Sequence, residues 1–302
     1  MAFTSFTIAH ITDPHLSPAP FPAAGHFHVK RFMGWVNWKR GRQGRNDMAM
    51  LDRLVADLKA QKADHIAVTG DLVNIGMPAE FRAAAEWMKT FGKPTDVSFV
   101  PGNHDAYVRS AMSLLGSTFA PWTTSDGGET VFPYLRIRKG VAIIGLSSAV
   151  PTGPLMATGR LGREQLDAFA MLLDWTAARD LARVVLIHHP PMAKGAPPLR
   201  GLTDAAAFER VIAKHGAEAV LHGHSHKQFV GSLPSRKART VGGAVPVLGA
   251  PSASASVHDP RQRAAYHLVR LDREDDRWKV SARVRGLALD SDAIGEREAL
   301  AI

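Results

Sequence analysis

Apolar runs short enough to be strands alternate along this chain with longer amphipathic stretches, and five of those runs end in clusters of Asp, His and Asn. The alternation restricts the chain to α/β organisation, with strands built into open sheets and helices laid over them. The clusters are Asp13-Pro14-His15 after FTIAHIT, Gly70-Asp71 after HIAVT, Gly102-Asn103-His104-Asp105 after VSFVP, His188-His189 after VVLI, and Gly223-His224-Ser225-His226 after AVLH. In open α/β sheets, ligands collect beyond the carboxyl ends of strands, which is where these residues fall. Seven of the fourteen histidines, at 15, 104, 188, 189, 222, 224 and 226, lie in or beside the clusters. Packing alone does not account for that.

The intervening elements follow from spacing. Met48 to Gln61 carries Met48, Leu51, Leu54, Val55 and Leu58 at helical intervals, with Asp47 as N-cap. Glu80–Phe91, Arg163–Ala178 and Ala205–Lys214 read as further helices, and Val97–Val100 as a strand. YLRIR and VAIIGL flank Lys139-Gly140, the pattern of a hairpin. VPVLGA, YHLVRLD and WKVSARVRG read as consecutive strands of one antiparallel sheet. No repeat and no long linker divides the chain, so one domain is expected over residues 1–290, followed by a loose tail of mixed charge at 291–302. Pro and Gly gather in Ser17–Gly25 and Pro190–Gly201, where loops would frame a site.

Composition narrows the chemistry. The 302 residues contain no cysteine, so disulfides and thiolate ligands are excluded and any metal must be held by nitrogen and oxygen. The net charge of +9 favours anionic partners: phosphoesters, nucleic acid or acidic lipid. The start lacks a basic stretch followed by a long apolar one, and no apolar run approaches the roughly 18 residues of a membrane span. A cytoplasmic protein is the expectation, with peripheral attachment at the inner membrane face as its variant.

Asp13 and His15 are two residues apart, as are His224 and His226, so in extended backbone each pair would point to one side. Carboxylate, amide and imidazole donors together suit manganese, iron or zinc. Seven candidates exceed the needs of one ion with open positions and suit a pair of ions sharing a carboxylate. Such a pair, about 3.5–4 Å apart, clamps the attacking and departing oxygens of a phosphoester displacement.

The series TDPH, TGD, PGNHD, IHHPP and HGHSH resembles the motifs of the calcineurin-like metallophosphoesterase superfamily, D-x-H, G-D, G-N-H-D/E, H and G-H-x-H, in the same order. GNHD followed by HHPP is most similar to the branch with class III cyclic nucleotide phosphodiesterases and broad-specificity phosphodiesterases. The resemblance implies a four-layer α/β/β/α sandwich of two mixed sheets with a metal site at one rim. It implies two divalent ions, the first on Asp13, His15 and His226, the second on Asn103, His188 and His224, with Asp71 bridging. His104 would be the catalytic residue, stabilising charge on the phosphoryl group and protonating the leaving alkoxide. A hydroxide between the metals would attack phosphorus. Asp105 would support the site or start a helix, and His189 and His222 would contact substrate, orient a neighbour or end a strand. Lys194, Arg200 and Arg160 are candidates for binding substrate phosphate.

Ser17 to Arg45 contains no acidic residue, while Lys30, Arg31, Lys39, Arg40, Arg42 and Arg45 interleave with Phe27, Phe32, Trp35, Val36 and Trp38. Three readings stand: a flap that packs its aromatics and solvates its charges, an anionic membrane contact through residues 30–45, or a site for another anion. No dedicated nucleic-acid motif accompanies the positive charge. The function expected is hydrolysis of a small anionic phosphodiester. The alternatives are a pyrophosphohydrolase or phosphatase on a nucleotide-linked or lipid phosphate, and a non-catalytic metal-stabilised scaffold.

Overall fold

The structure, a computed structural model, describes residues 5–22, 24–193, 197, 199–288 and 293–302. Chain order begins with β1 (Ser5–Ile11), α1 (Val29–Asn37), α2 (Met48–Ala60), β2 (His65–Val68), α3 (Pro78–Lys89), β3 (Val97–Phe99) and α4 (Met112–Thr123). The hairpin β4 (Tyr134–Arg138) and β5 (Val141–Gly145) follows, then α5 (Arg163–Ala177), β6 (Ala182–Leu186), α6 (Ala205–His215) and β7 (Ala219–His222). The chain closes with β8 (Phe229–Pro234), β9 (Ala244–Gly249), β10 (Ala265–Glu274), β11 (Arg277–Leu287) and β12 (Ile294–Leu300). No helix among the described residues is long and apolar enough to cross a membrane.

Two six-stranded sheets form, ordered β12-β11-β10-β1-β2-β3 and β4-β5-β6-β7-β9-β8. Each has a parallel block, β1-β2-β3 running to the edge of one and β5-β6-β7-β9 inside the other, with antiparallel strands beside it. Parallel blocks are buried on both faces, and the unbroken runs HIAV, VAIIG and AVLH reflect that. The sheets pack face to face through Phe6, Ile8, Tyr134, Val184, Leu221 and Val269. Burial of each such side chain contributes roughly 2 kcal/mol. Leu51, Leu54 and Leu58 of α2 and Phe81 of α3 cover the first sheet from outside, and Phe169 of α5 and Phe208 of α6 cover the second. The arrangement is the expected four-layer sandwich.

Local chemistry sets the element ends. The Asp47 carboxylate accepts the Met50 N–H at 3.0 Å and caps α2. Lys139 and Gly140 both take positive φ, 45° and 79°, which makes the tight turn of the β4–β5 hairpin.

Two expectations fail. VPVLGA forms β9, which pairs parallel with β7 in the second sheet, while β10 and β11 belong to the first. An apolar run records burial, not the identity of the neighbouring strand. Residues 294–300, expected within a loose tail, form β12 along β11, because Ile294 and Leu300 reach apolar neighbours in the body.

Candidate metal centre

All five clusters leave the carboxyl ends of strands, three from the first sheet (β1, β2, β3) and two from the second (β6, β7). They meet at one rim and are laced together there. Asp13 N donates to Gly70 O at 3.0 Å and His15 N to Asp71 O at 3.1 Å, joining the loops after β1 and β2. Across the sheets, His224 N donates to Asp13 Oδ2 at 2.9 Å and His188 Nδ1 lies 2.6 Å from Thr69 O.

The pairs do not converge through extended backbone, as the spacing argument assumed. Asp13, His15, Asp71, His224 and His226 have φ of 50°, 42°, 55°, 65° and 52°, all left-handed. Non-glycine residues hold that conformation at a cost of order 1–3 kcal/mol each, and such strain concentrates at functional sites. Left-handed turns curl each loop back on itself, so that side chains from five strands face one point. The glycines in the motifs permit this crowding. A Cβ at Gly102 would run into the Asp71 carboxylate, and one at Gly70 would lie 2.5 Å from His188 Nδ1.

The donor atoms fall into two adjoining sets. In the first, His226 Nε2 is 3.1 Å from Asp13 Oδ1 and 3.1 Å from His15 Nε2, and His15 Nε2 is 3.9 Å from Asp13 Oδ1. In the second, Asn103 Oδ1 is 2.8 Å from His224 Nδ1 and 3.3 Å from His188 Nε2. Asp71 Oδ2 faces both, 3.8 Å from His15 Nε2 and 3.4 Å from His188 Nε2. Imidazole nitrogens and carboxylate oxygens turned towards one another this closely need cations or protons between them. The donor set fits divalent metals. His188 Nδ1 against Thr69 O fixes a tautomer that leaves Nε2 as the donor atom, the usual support for a ligating histidine.

Electrostatics without metal shows the same coupling. Burial alone would raise the Asp13 and Asp71 carboxyls. The imidazoles outweigh it, His226 and His188 for Asp13 and His188, His104 and His15 for Asp71, and hold both below the usual range. Burial pulls His188 down, but Asp71 and Asp13 push it up to about 9. His224 is lowered to about 3, by burial first and then by His188.

The remaining candidates separate. His104 donates its backbone N–H to Asp71 Oδ1 at 2.7 Å, places Nδ1 2.5 Å from Asn74 O, and lines the cavity. Asp105 is not a helix start. It is fully buried and accepts four backbone N–H groups, from Asp71 and Gly102 at 2.8 Å, Leu72 at 2.9 Å and Val73 at 3.2 Å. Burial and the Asp71 charge push its carboxyl up to about 7, against the pull of those donors. His189 packs on the His224 ring with centroids 4.5 Å apart, and its nitrogens go to Ser148 Oγ at 2.8 Å and Ala157 O at 3.2 Å. It stands near enough to form a cluster with His188 and His224, but both nitrogens are engaged elsewhere. His222 turns away, with Nδ1 3.0 Å from Gly223 O and its ring against Phe229, and borders a second cavity of about 250 Å³. Lys194 lies outside the described residues. Arg200 lines the main cavity and Arg160 is exposed outside it.

Spacing alone did not reveal several supporting residues. Thr12 Oγ1 donates to Asp13 Oδ2 at 2.7 Å, and Ser252 Oγ donates to Asp13 O at 2.7 Å. Lys30 and Tyr107 line the cavity beside His104. The threonine directly before Asp13 was the one visible signal, since a hydroxyl there reaches the carboxylate. Lys30 stood out in the sequence only as one of the basic residues of Ser17–Arg45. The cavity above the two donor sets is about 620 Å³, and Lys30, Arg45, Arg200 and Lys227 surround it. Asp71 on its floor is the one carboxylate in its lining among the described residues.

The family model for calcineurin-like phosphoesterases matches residues 6–228. The chain belongs to that family. Its members are metal-dependent phosphoester hydrolases of the dimetal type, and this calcineurin-like phosphoesterase presents two donor sets in keeping with two divalent ions. A Synechococcus protein named as a probable cyclic nucleotide phosphodiesterase is 28% identical over 279 residues, 91% of each chain. A Mycobacterium tuberculosis cAMP/cGMP dual specificity phosphodiesterase is 28% identical over 177 residues, 55% of this chain and 49% of its own length. Among solved structures, a dimetal phosphatase from Danio rerio has a TM-score of 0.61 at 14% identity, covering 98% of both chains. At that identity the likeness concerns the fold.

Proposed function

We propose that Asp13, His15 and His226 hold one divalent cation and Asn103, His188 and His224 a second, with Asp71 shared between them. The observation that carries this is the position of Asp71 Oδ2, 3.8 Å from a nitrogen of one set and 3.4 Å from a nitrogen of the other. Manganese, iron or zinc suits the donors. When bound, such a pair supplies Lewis-acid polarisation of a phosphoryl oxygen and lowers the pKa of coordinated water.

The protein's own residues do the rest. Lys30, Arg45, Arg200 and Lys227 draw an anionic ester into the cavity, where one floor carboxylate among the described lining residues opposes it. Asn74 O fixes a proton on His104 Nδ1, so the imidazolium form delivers the proton of its other nitrogen to the departing alkoxide. The Asp105 carboxylate holds the Asp71 and Gly102 loops in register through four N–H donors.

We infer that the substrate is a phosphodiester. The names of the two relatives make cyclic nucleotides the first class to test, and the amide side chains of Asn37, Asn46 and Gln262 in the cavity wall suit a polar leaving group. Purified protein with Mn²⁺ is expected to hydrolyse a chromogenic bis-aryl phosphodiester and cyclic AMP, with turnover abolished by chelator and restored by metal. Turnover that survives chelation would overturn the proposal. Stoichiometric metal uptake without turnover on diesters or monoesters would leave a metal-stabilised scaffold.

A further inference from the structure

The first turns of α1, between the first cluster and α2, are built inside out. Lys30 and Arg31 of α1 are both 5% exposed, while its apolar Val29, Phe32 and Met33 are 61%, 41% and 38% exposed. The buried cations go to backbone carbonyls. Lys30 Nζ donates to Tyr107 O at 2.8 Å and Thr152 O at 2.9 Å, and Arg31 donates to Ile75 O at 3.2 Å and Gly76 O at 2.6 Å. These bonds strap α1 to the loops after β2, β3 and β5, so the outward face is held in a defined orientation. Further along, Trp38 is packed at 3% exposed, so the reversal belongs to the first turns of α1.

The exposed side chains form one surface. Phe21 and Phe27 are 55% and 58% exposed, and rings meet in sequence: Phe21 with Trp35 at 4.9 Å, Trp35 with Phe32 at 6.5 Å, and Phe32 with Phe27 at 6.1 Å. Lys39 lies 5.1 Å above the Trp35 ring, and Arg40 and Arg45 are exposed beyond it. Contiguous apolar surface of this kind marks an interaction site in a soluble domain.

We propose that this face docks on an anionic phospholipid bilayer, with Phe27, Val29, Phe32 and Met33 in the headgroup–acyl boundary and Lys39, Arg40 and Arg45 against lipid phosphates. Charge argues for this occupant. Residues 17–46 contain no Asp or Glu, so a two-fold pairing with a second copy would set cations against cations, whereas an anionic surface complements them. A nucleic-acid duplex would satisfy the cations but leave the aromatic row in water, since its bases are already stacked. Met33 and Arg45 also line the metal cavity, so docking would bring its mouth to the bilayer surface.

Co-sedimentation of the intact protein with vesicles tests the proposal without reference to catalysis. Binding is expected to phosphatidylcholine–phosphatidylglycerol vesicles and to be weaker on phosphatidylcholine alone. Phe27→Glu with Phe32→Glu, and separately Lys39→Glu with Arg40→Glu, should each weaken binding by about tenfold or more. Both variants alter exposed side chains and should keep the wild-type melting temperature. Absence of wild-type sedimentation, or binding unaffected by either variant, would overturn the proposal. So would light scattering that shows a dimer dispersed by the phenylalanine changes, which would assign the face to a second copy.

Discussion

Buried histidines in this protein shift in opposite directions according to the groups that face them. At the rim, His188 is fully buried yet raised to about 9, because Asp71 and Asp13 outweigh its burial. In the interior, His65 on β2 and His267 on β10 are as deeply buried and are lowered to about 3, by burial first and then by neighbouring cations or imidazole. His10 faces His267 across the β1–β10 pair and is also lowered. Burial is common to all of them; His188 differs because the pull of Asp71 and Asp13 exceeds its burial, whereas His224 beside it stays low under burial and the His188 charge. A buried imidazole stays neutral where no carboxylate outweighs its desolvation, and takes a proton in metal-free protein where carboxylates do.

The most severe test of that contrast is Asp71→Ala. Loss of the carboxylate that faces both sets should abolish uptake of the metal pair and reduce turnover by roughly a thousandfold or more, the scale on which electrostatic stabilisation fails. Elemental analysis with kinetics checks it, and retention of both ions would break the contrast. Gly102→Ala should act nearly as strongly, since its methyl would displace the Asp71 carboxylate while leaving the core untouched. Metal content should fall with the circular dichroism spectrum unchanged.

His104→Ala tests the division of labour within the rim. Metal content should stay at the wild-type level while kcat drops about 10²–10⁴-fold, the usual range for a lost proton donor. Asp105→Asn keeps the shape but weakens the grip on four N–H groups, and titration should show metal affinity reduced about 10–100-fold.

The smallest effect separates the groups by pH. A histidine whose folded pKa lies below its unfolded value of about 6.5 binds protons better when unfolded. Its contribution is complete above that pH and is lost as pH falls towards the folded value. For His267, with a folded value of about 3, the loss between pH 7 and pH 5 is about 2 kcal/mol or less. His188 in metal-free protein has the opposite sign, with stability present below about pH 6.5 and lost as pH rises through about 9. Denaturant melts of metal-free protein across pH should show both limbs, and His267→Leu should make the acid one shallower without changing the other. An unchanged acid limb would remove His267 from the account.

Much of this was legible in one dimension. The alternation of runs marks the α/β class, Asp47 marks the start of α2, and the five clusters select the residues that meet at the rim. The grounds for their convergence were less legible. Spacing suggested extended pairs, whereas Asp13, His15, His224 and His226 reach their places through left-handed backbone. His222 and His189 stand beside the same motifs, and only their surroundings place one against Phe229 and the other between Ser148 and Ala157.

By itself, then, the order of residues determined the strand-and-helix pattern and which donors are available, because periodicity and side-chain chemistry are local properties. Tertiary structure decided which donors share a point, that β9 joins β7 rather than β10, and that α1 buries Lys30 and Arg31 while turning Phe32 and Met33 outward. Each depends on residues tens to hundreds of positions apart, such as the carbonyls of Ile75, Tyr107 and Thr152 that receive those two cations. Short apolar or basic stretches carry no record of partners so distant.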